Sequence, residues 1–174
     1  MRHKLSLTAA GLFVALTLAG SLSAATPLAK TPVTITMRGT ISGLGGPTSG
    51  TFDLVGASTA YSDSGRLTFI APLSPNPVPH KTPEGLNYSP MQLTETLQGK
   101  KGTLVIRSSI RLFDVVNLDD YVATGTWSIL RGTGKYARLT GRGGLIGITQ
   151  APSQAKSISD YDYSYRLAGL VGGT

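Results

Sequence analysis

The sequence predicts an all-β protein, a closed eight-stranded antiparallel up-and-down barrel. Apolar and polar residues alternate with period two in short runs after residue 25, where no stretch has a convincing helical period. The 22 glycines and 10 prolines supply turns and argue against a helical bundle. Short sequential links favour a meander, and closing it into a barrel removes its exposed edges. A two-sheet sandwich is the alternative.

The first 25 residues have the pattern of a secretory signal peptide. Arg2 and Lys4 precede an apolar run from Leu5 to Ala19, which is shorter than the roughly 20 residues that a membrane-spanning helix needs. Small residues then lead to Ala25. We predict cleavage after Ala25 and export to the periplasm or the medium, with an uncleaved membrane anchor as the alternative. Residues 26–174 then form a single domain.

The first three predicted strands rest on alternation between turn signals. Val33, Ile35 and Met37 alternate with polar residues, and Asp63 opens a turn signal ahead of the third strand. These strands cover about residues 32–43, 50–57 and 65–71. The six prolines from Pro72 to Pro90 argue against a central strand, so we predict a long extended loop at 72–90.

The remaining five strands follow this loop. They cover about residues 91–98, 103–113, 121–130, 141–149 and 159–168. A hairpin turn at 99–102 joins the first two of them. The segment 136–140 is either one helical turn or an extended link. The glycines of strand 141–149 suit the sharp bends of a small barrel.

A glycine- and aromatic-rich segment spans residues 125–145. It contains Gly-x-Trp, then Gly-Thr-Gly-x-Tyr, then Leu-x-Gly-x-Gly, formed by Gly125, Trp127, Gly132, Thr133, Gly134, Tyr136, Leu139, Gly141 and Gly143. The segment resembles the signature of bacterial proteins in the allene oxide cyclase barrel superfamily, which also contains the plant dirigent proteins. The resemblance implies an eight-stranded antiparallel barrel. It implies little about activity, because the matched residues are glycines and packing residues.

Several kinds of chemistry are excluded or disfavoured. The absence of cysteine excludes disulfides, thiolate metal sites and a thiol nucleophile, and in an exported chain it fits a bacterial route. His80 lies among prolines and supports no catalytic triad, and we predict neither a metal nor a cofactor. The net charge of +7 is dispersed. Dispersed charge argues against nucleic-acid binding and leaves weak attraction to anionic envelope polymers open.

Glu95 is the candidate catalytic residue. It occupies an apolar-face position between Leu93 and Leu97, so alternation predicts that its carboxyl points into the barrel. Desolvation there would raise its pKa and suit it to acid–base chemistry. A bulged register, or pairing with an arginine near a rim, is the alternative.

Five aromatic residues are candidates to line a ligand cavity: Trp127, Tyr136, Tyr161, Tyr163 and Tyr165. Trp127 is most simply a core residue, and its indole N–H needs a partner when buried. The last three tyrosines share one strand face. They line the interior, or they form an outer amphipathic stripe.

Three function classes follow from these observations. The first is a non-enzymatic exported barrel that binds a small apolar or amphipathic molecule or an envelope component. The second is a cofactor-free cyclase or isomerase that uses a carboxylate in the lumen, as the resemblance to allene oxide cyclases implies. The third is a solidly packed structural or surface protein. The lack of a convincing catalytic set favours the first and third classes, and the inward carboxylate keeps the second open. No sequence feature indicates the oligomeric state.

Overall fold

The computed structural model describes residues 30–42, 47–70, 80–115, 120–150 and 160–173. The predicted signal peptide lies outside them, as does part of the predicted proline-rich loop. Within these residues the strands are β1 (Thr31–Ser42), β2 (Pro47–Gly56), β3 (Asp63–Ile70), β4 (His80–Lys81), β5 (Asn87–Gly99), β6 (Thr103–Val115), β7 (Asp120–Gly132), β8 (Leu139–Gln150) and β9 (Asp160–Gly173). Single 3-10 turns form at Thr59–Tyr61 and Gly134–Tyr136.

Eight of these strands close into an antiparallel barrel. Each long strand pairs with the next long strand along the chain, β1 pairs with β9, and β3 pairs with β5 across the segment that contains β4. The prediction of a closed eight-stranded barrel is therefore confirmed, and the sandwich is excluded. The two-residue β4 is an addition, and among the described residues it pairs only with the start of β5.

The two ends of the barrel differ in how the strands are joined. At the lower end lie the 99–102 hairpin and both 3-10 turns. The hairpin is closed by Gly99 N–H donating to the Gly102 carbonyl at 2.9 Å. At the upper end the connections at 43–46, 71–79, 116–119 and 151–159 lie outside the described residues.

Alternate residues of every long strand fill the interior. The fully buried side chains include Ile35, Met37, Leu67, Leu97, Leu104, Ile106, Trp127 and Leu167. Two aromatic residues of the interior lie directly on glycines of β8. A Cβ added at Gly143 would lie 2.7 Å from Trp127 Nε1, and one added at Gly147 would collide with Tyr165. These β8 glycines therefore make room for rings, a role that the prediction of barrel bends did not include.

The prediction that 72–90 is entirely loop is wrong at β4 and at its C-terminal end. Residues 87–90 already belong to β5, and Pro90 pairs with Arg111 of β6. On its other side β5 meets β3 only from Thr94 onward. Pro90 therefore lies in an edge segment, where a missing backbone N–H breaks no ladder.

Candidate ligand site in the barrel lumen

Glu95 lies inside the barrel, as its place in the alternation predicted. Its neighbours on the same face of β5, Leu93 and Leu97, are both buried in the core. The Glu95 side chain itself has no exposed surface. Its backbone pairs with Ile106 on β6 and with Phe69 on β3. Because β3 ends at residue 70, this position lies toward the upper end of the barrel on that side.

The Glu95 carboxyl has one hydrogen bond and one unsatisfied oxygen. Ser108 Oγ on β6 donates to Oε2 at 3.0 Å. Oε1 is buried and has no hydrogen-bond partner among the described residues. The nearest arginines in the strand pairing, Arg107 and Arg111, alternate to the outer face and are exposed. The predicted alternative of an arginine partner is thus not the arrangement found.

This environment raises the pKa of Glu95 from 4.5 to about 7. Burial is the dominant cause, because it disfavours the ionised form. The Ser108 hydrogen bond and a smaller interaction with the backbone N–H of Glu95 itself act in the opposite direction and are weaker. Near neutral pH the carboxyl therefore exists in both forms. When protonated it can donate a hydrogen bond from a position that water reaches poorly.

Other polar side chains share the interior with Glu95. The Tyr163 and Tyr165 ring centroids are 5.4 Å apart, and the Tyr165 hydroxyl lies 3.0 Å from Thr149 Oγ1. Burial is the main reason that the pKa of each tyrosine is raised, and the Glu95 charge adds to it. Thr48 Oγ1 is buried and has no partner in the part of the chain that is described. The lumen polar cluster comprises Thr48, Glu95, Ser108, Thr149, Tyr163 and Tyr165.

The cluster occupies the upper half of the barrel. Thr48 is the second residue of β2, and Thr149 is the next-to-last residue of β8. The Tyr163 hydroxyl reaches across to β1 and β2, since a Cβ added at Gly39 or Gly50 would approach it within 2.7 Å. The two tyrosines thus line the interior, which decides the question left open for the 161–165 face.

The other three aromatic candidates have different surroundings. The Trp127 indole N–H donates to the Ala168 carbonyl at 3.3 Å, and the residue pairs with Ser108 across the β6–β7 ladder. Tyr161 is half-buried, and its ring contacts Tyr121 edge-on at 6.1 Å. Tyr136 is buried at the lower end, away from the polar cluster.

Asp63 organises the lower end, a role that the sequence did not reveal. Its carboxylate accepts hydrogen bonds from the backbone N–H groups of Ser64, Lys100 and Lys101 and from the Tyr136 hydroxyl, at 2.7–3.2 Å. Burial alone would raise the pKa of Asp63, but these four bonds together hold it below 3.8. Aspartate before Ser-Gly is common in turns, and no local signal indicated hairpin partners so distant along the chain.

Comparison of the chain with protein-family models, curated proteins and solved structures found no match. Among the described residues, no group of three or more histidine, aspartate or glutamate side chains is arranged to hold a metal ion. Within the same residues, no helix has the length and apolar character required to cross a membrane.

Proposed function

We propose that this barrel binds a small amphipathic molecule through the lumen polar cluster and does so without catalysis. The observation that carries the proposal is Glu95 Oε1, a fully buried oxygen with no partner among the described residues. A buried polar atom left unsatisfied costs about 1–3 kcal/mol, so a group that supplies its hydrogen bond is bound favourably. The ligand that matches this chemistry has one hydroxyl or carbonyl and an apolar body.

The chemistry of the surroundings supports this ligand class. Leucines flank Glu95 along β5, and the Ser108 hydroxyl donates to its carboxyl. Tyr163 and Tyr165 are near enough for the Glu95 charge to raise the pKa of each. Below the Glu95 pKa of about 7, the protonated carboxyl donates to a ligand oxygen. The resemblance to the allene oxide cyclase barrel superfamily is consistent with this proposal, since its plant members act on or guide apolar small molecules. The signal-peptide pattern of the first 25 residues supports a proposed site of action outside the cytoplasm.

The second candidate function is carboxylate catalysis, as in a cofactor-free cyclase or isomerase. One observation favours it: a carboxyl with a pKa of about 7 is matched to proton transfer at neutral pH. It ranks second because the neighbouring tyrosines, with pKa values raised by burial, are poor partners for a second proton transfer.

Native mass spectrometry of protein purified from its own host tests the binding proposal. We expect a retained small molecule on the wild type and on Glu84→Gln, which changes an exposed glutamate. Glu95→Leu should lose the molecule, because leucine fills the volume without a polar atom. Glu95→Gln should retain part of the binding, because its amide still donates.

A titration with geraniol and β-ionone, followed through Trp127, complements that experiment. Trp127 is the lone tryptophan of the chain and lies beside Ser108 in the lumen, so its emission reports on occupancy. Absence of a retained molecule together with unchanged Trp127 emission would contradict the proposal and indicate a bound water at Oε1. Recovery of either probe in a chemically altered form would favour catalysis instead.

A further inference from the structure

The outer face of the barrel carries a row of small or uncharged residues that crosses five strands, and this row with its flanking rows is called the trough. Strand register places one exposed residue of each strand from β5 to β9 side by side, in the order Gln92, Ser109, Thr126, Gly144 and Ala168. Four strand spacings give this row a length of about 19 Å. At Gly144 the floor is open, since an added Cβ would have only the Gly125 carbonyl, at 4.0 Å, within reach.

Arginines line both sides of this trough. The register row on one side carries Arg111 and Arg166, and the row on the other side carries Arg107 and Arg142. All four are exposed. The row with Arg111 and Arg166 also contains Pro90, Thr124 and Ile146. The row with Arg107 and Arg142 also contains Thr94, Ser128 and Leu170. None of the fifteen residues in the three rows is acidic, so the positive charge of the trough is not neutralised from within.

The trough deepens at its β5–β7 end into a groove of about 660 Å³. Gln92, Ser109, Thr124 and Thr126 supply hydrogen-bonding groups to this groove, and Tyr88 lies at its border. The Arg111 guanidinium lies 5.2 Å from the centre of the Tyr88 ring, and the ring also stacks on His80. This end therefore combines an aromatic surface, a fixed cation and polar side chains.

We propose that the trough binds a segment of an anionic polysaccharide. Arginine forms paired hydrogen bonds with carboxylate or phosphate groups, and four arginines along both walls suit a chain that repeats such groups. The floor hydroxyls and the Gln92 amide match sugar hydroxyls. The Tyr88 ring and the exposed Ile146 and Leu170 side chains match the apolar faces of sugar rings. This site is independent of the proposed lumen ligand.

The same observations argue against two other polyanions. Single-stranded nucleic acid is held by a series of aromatic side chains on which bases stack, and the trough has one aromatic residue at one end. An anionic membrane would meet a flat or convex surface, whereas the β5–β7 end of this arginine-lined face is a groove. We therefore expect polysaccharide binding to exceed DNA and vesicle binding at equal charge concentration.

Binding of polygalacturonate to the full chain tests the proposal, with dextran, DNA and phosphatidylglycerol vesicles as comparisons. At low salt, about 50 mM, we expect Arg107→Gln/Arg142→Gln to weaken polygalacturonate binding about tenfold. The matched control Arg38→Gln/Arg66→Gln removes the same charge from exposed positions on β1 and β3 and should weaken it less than about twofold.

A variant that leaves the net charge unchanged distinguishes binding in the trough from general attraction to a positive protein. Gly144→Trp fills the open floor and leaves all four arginines, so it should weaken polygalacturonate binding as strongly as the arginine double variant. The proposal is overturned by equal weakening in the two double variants, by unaffected binding in Gly144→Trp, by no binding at low salt, or by stronger binding to DNA or vesicles. Circular dichroism confirms that each variant is folded.

Discussion

At the scale of single residues, Glu95 is the proposed binding group, and its burial makes the ionised form of its carboxyl unfavourable. Alternation along β5 was sufficient to predict its inward direction, because Leu93 and Leu97 share its face. Its partner Ser108 and the nearby tyrosines were not predictable as a cluster. They come from strands whose relative register depends on barrel closure, and single-strand patterns contain no information about register between distant strands.

The raised pKa of Glu95 makes stability depend on pH. The folded state binds this proton more tightly than the unfolded chain, so stability falls as pH rises from 4.5 to about 7 and levels off above. The fall attributable to this group is about 3 kcal/mol. Glu95→Gln removes the titrating group. Urea denaturation should therefore show that the free energy of unfolding of this variant does not decrease between pH 4.5 and about 7.

The control for this prediction is Glu84→Gln, which changes an exposed glutamate and should retain the wild-type fall. Parallel stability curves for the wild type and Glu95→Gln between pH 4.5 and 8 would show that Glu95 is solvated or ion-paired.

Trp127 is predicted to be a major contributor to stability. It is 2% exposed, lies on Gly143 and Gly169, and donates its indole N–H to the Ala168 carbonyl. Trp127→Ala should lower the free energy of unfolding by about 3–5 kcal/mol. Trp127→Phe keeps a ring over the glycines and should lose less. A loss below about 1 kcal/mol, with emission typical of free tryptophan, would contradict this placement.

At the scale of elements, periodicity located the eight barrel strands, but not all of their ends. Pro90 argued for a loop, yet the projecting start of β5 accommodates it because β3 does not extend that far. Asp63 argued for a turn, yet it begins β3. In both cases the strand end depends on how far the neighbouring strand extends. That extent is set by the tertiary structure and cannot be read from the local sequence.

The lower end supplies a prediction about Asp63. Its carboxylate accepts hydrogen bonds from two backbone N–H groups of the 99–102 hairpin and from the Tyr136 hydroxyl. Asp63→Ala should reduce the free energy of unfolding by about 2 kcal/mol at neutral pH. The pKa of Asp63 is lowered in the fold, so this stabilisation is present above 3.8 and is lost as pH falls through the folded pKa.

Chemical denaturation at neutral and acidic pH checks this expectation. The wild type and Asp63→Ala should converge in acid, and Asp53→Asn, at an exposed position on β2, should behave as the wild type throughout. A double-mutant cycle with Tyr136→Phe should give a coupling of about 1 kcal/mol. Additive losses would mean that the two side chains do not interact.

At the scale of the whole molecule, closure produces both the core and the two surfaces proposed for binding. Pairing of β1 with β9 and of β3 with β5 directs one side-chain set inward and the other outward. The sequence predicted closure because an open meander leaves edges exposed. The outer trough could not be predicted, since Gly144, Thr126 and Ser109 become neighbours only through the registers of β6, β7 and β8.

The central claim is that the closed barrel holds an ionisable carboxyl in its interior. Carbon-detected NMR titration of the side-chain carboxyls tests it most directly, because the chain contains only two glutamates, Glu84 and Glu95. We predict two separate curves. The exposed Glu84 should titrate below 4.5, since its own backbone N–H and Thr82 donate to it, and Glu95 should titrate near 7. Two coincident curves with midpoints at or below 4.5 would contradict the claim.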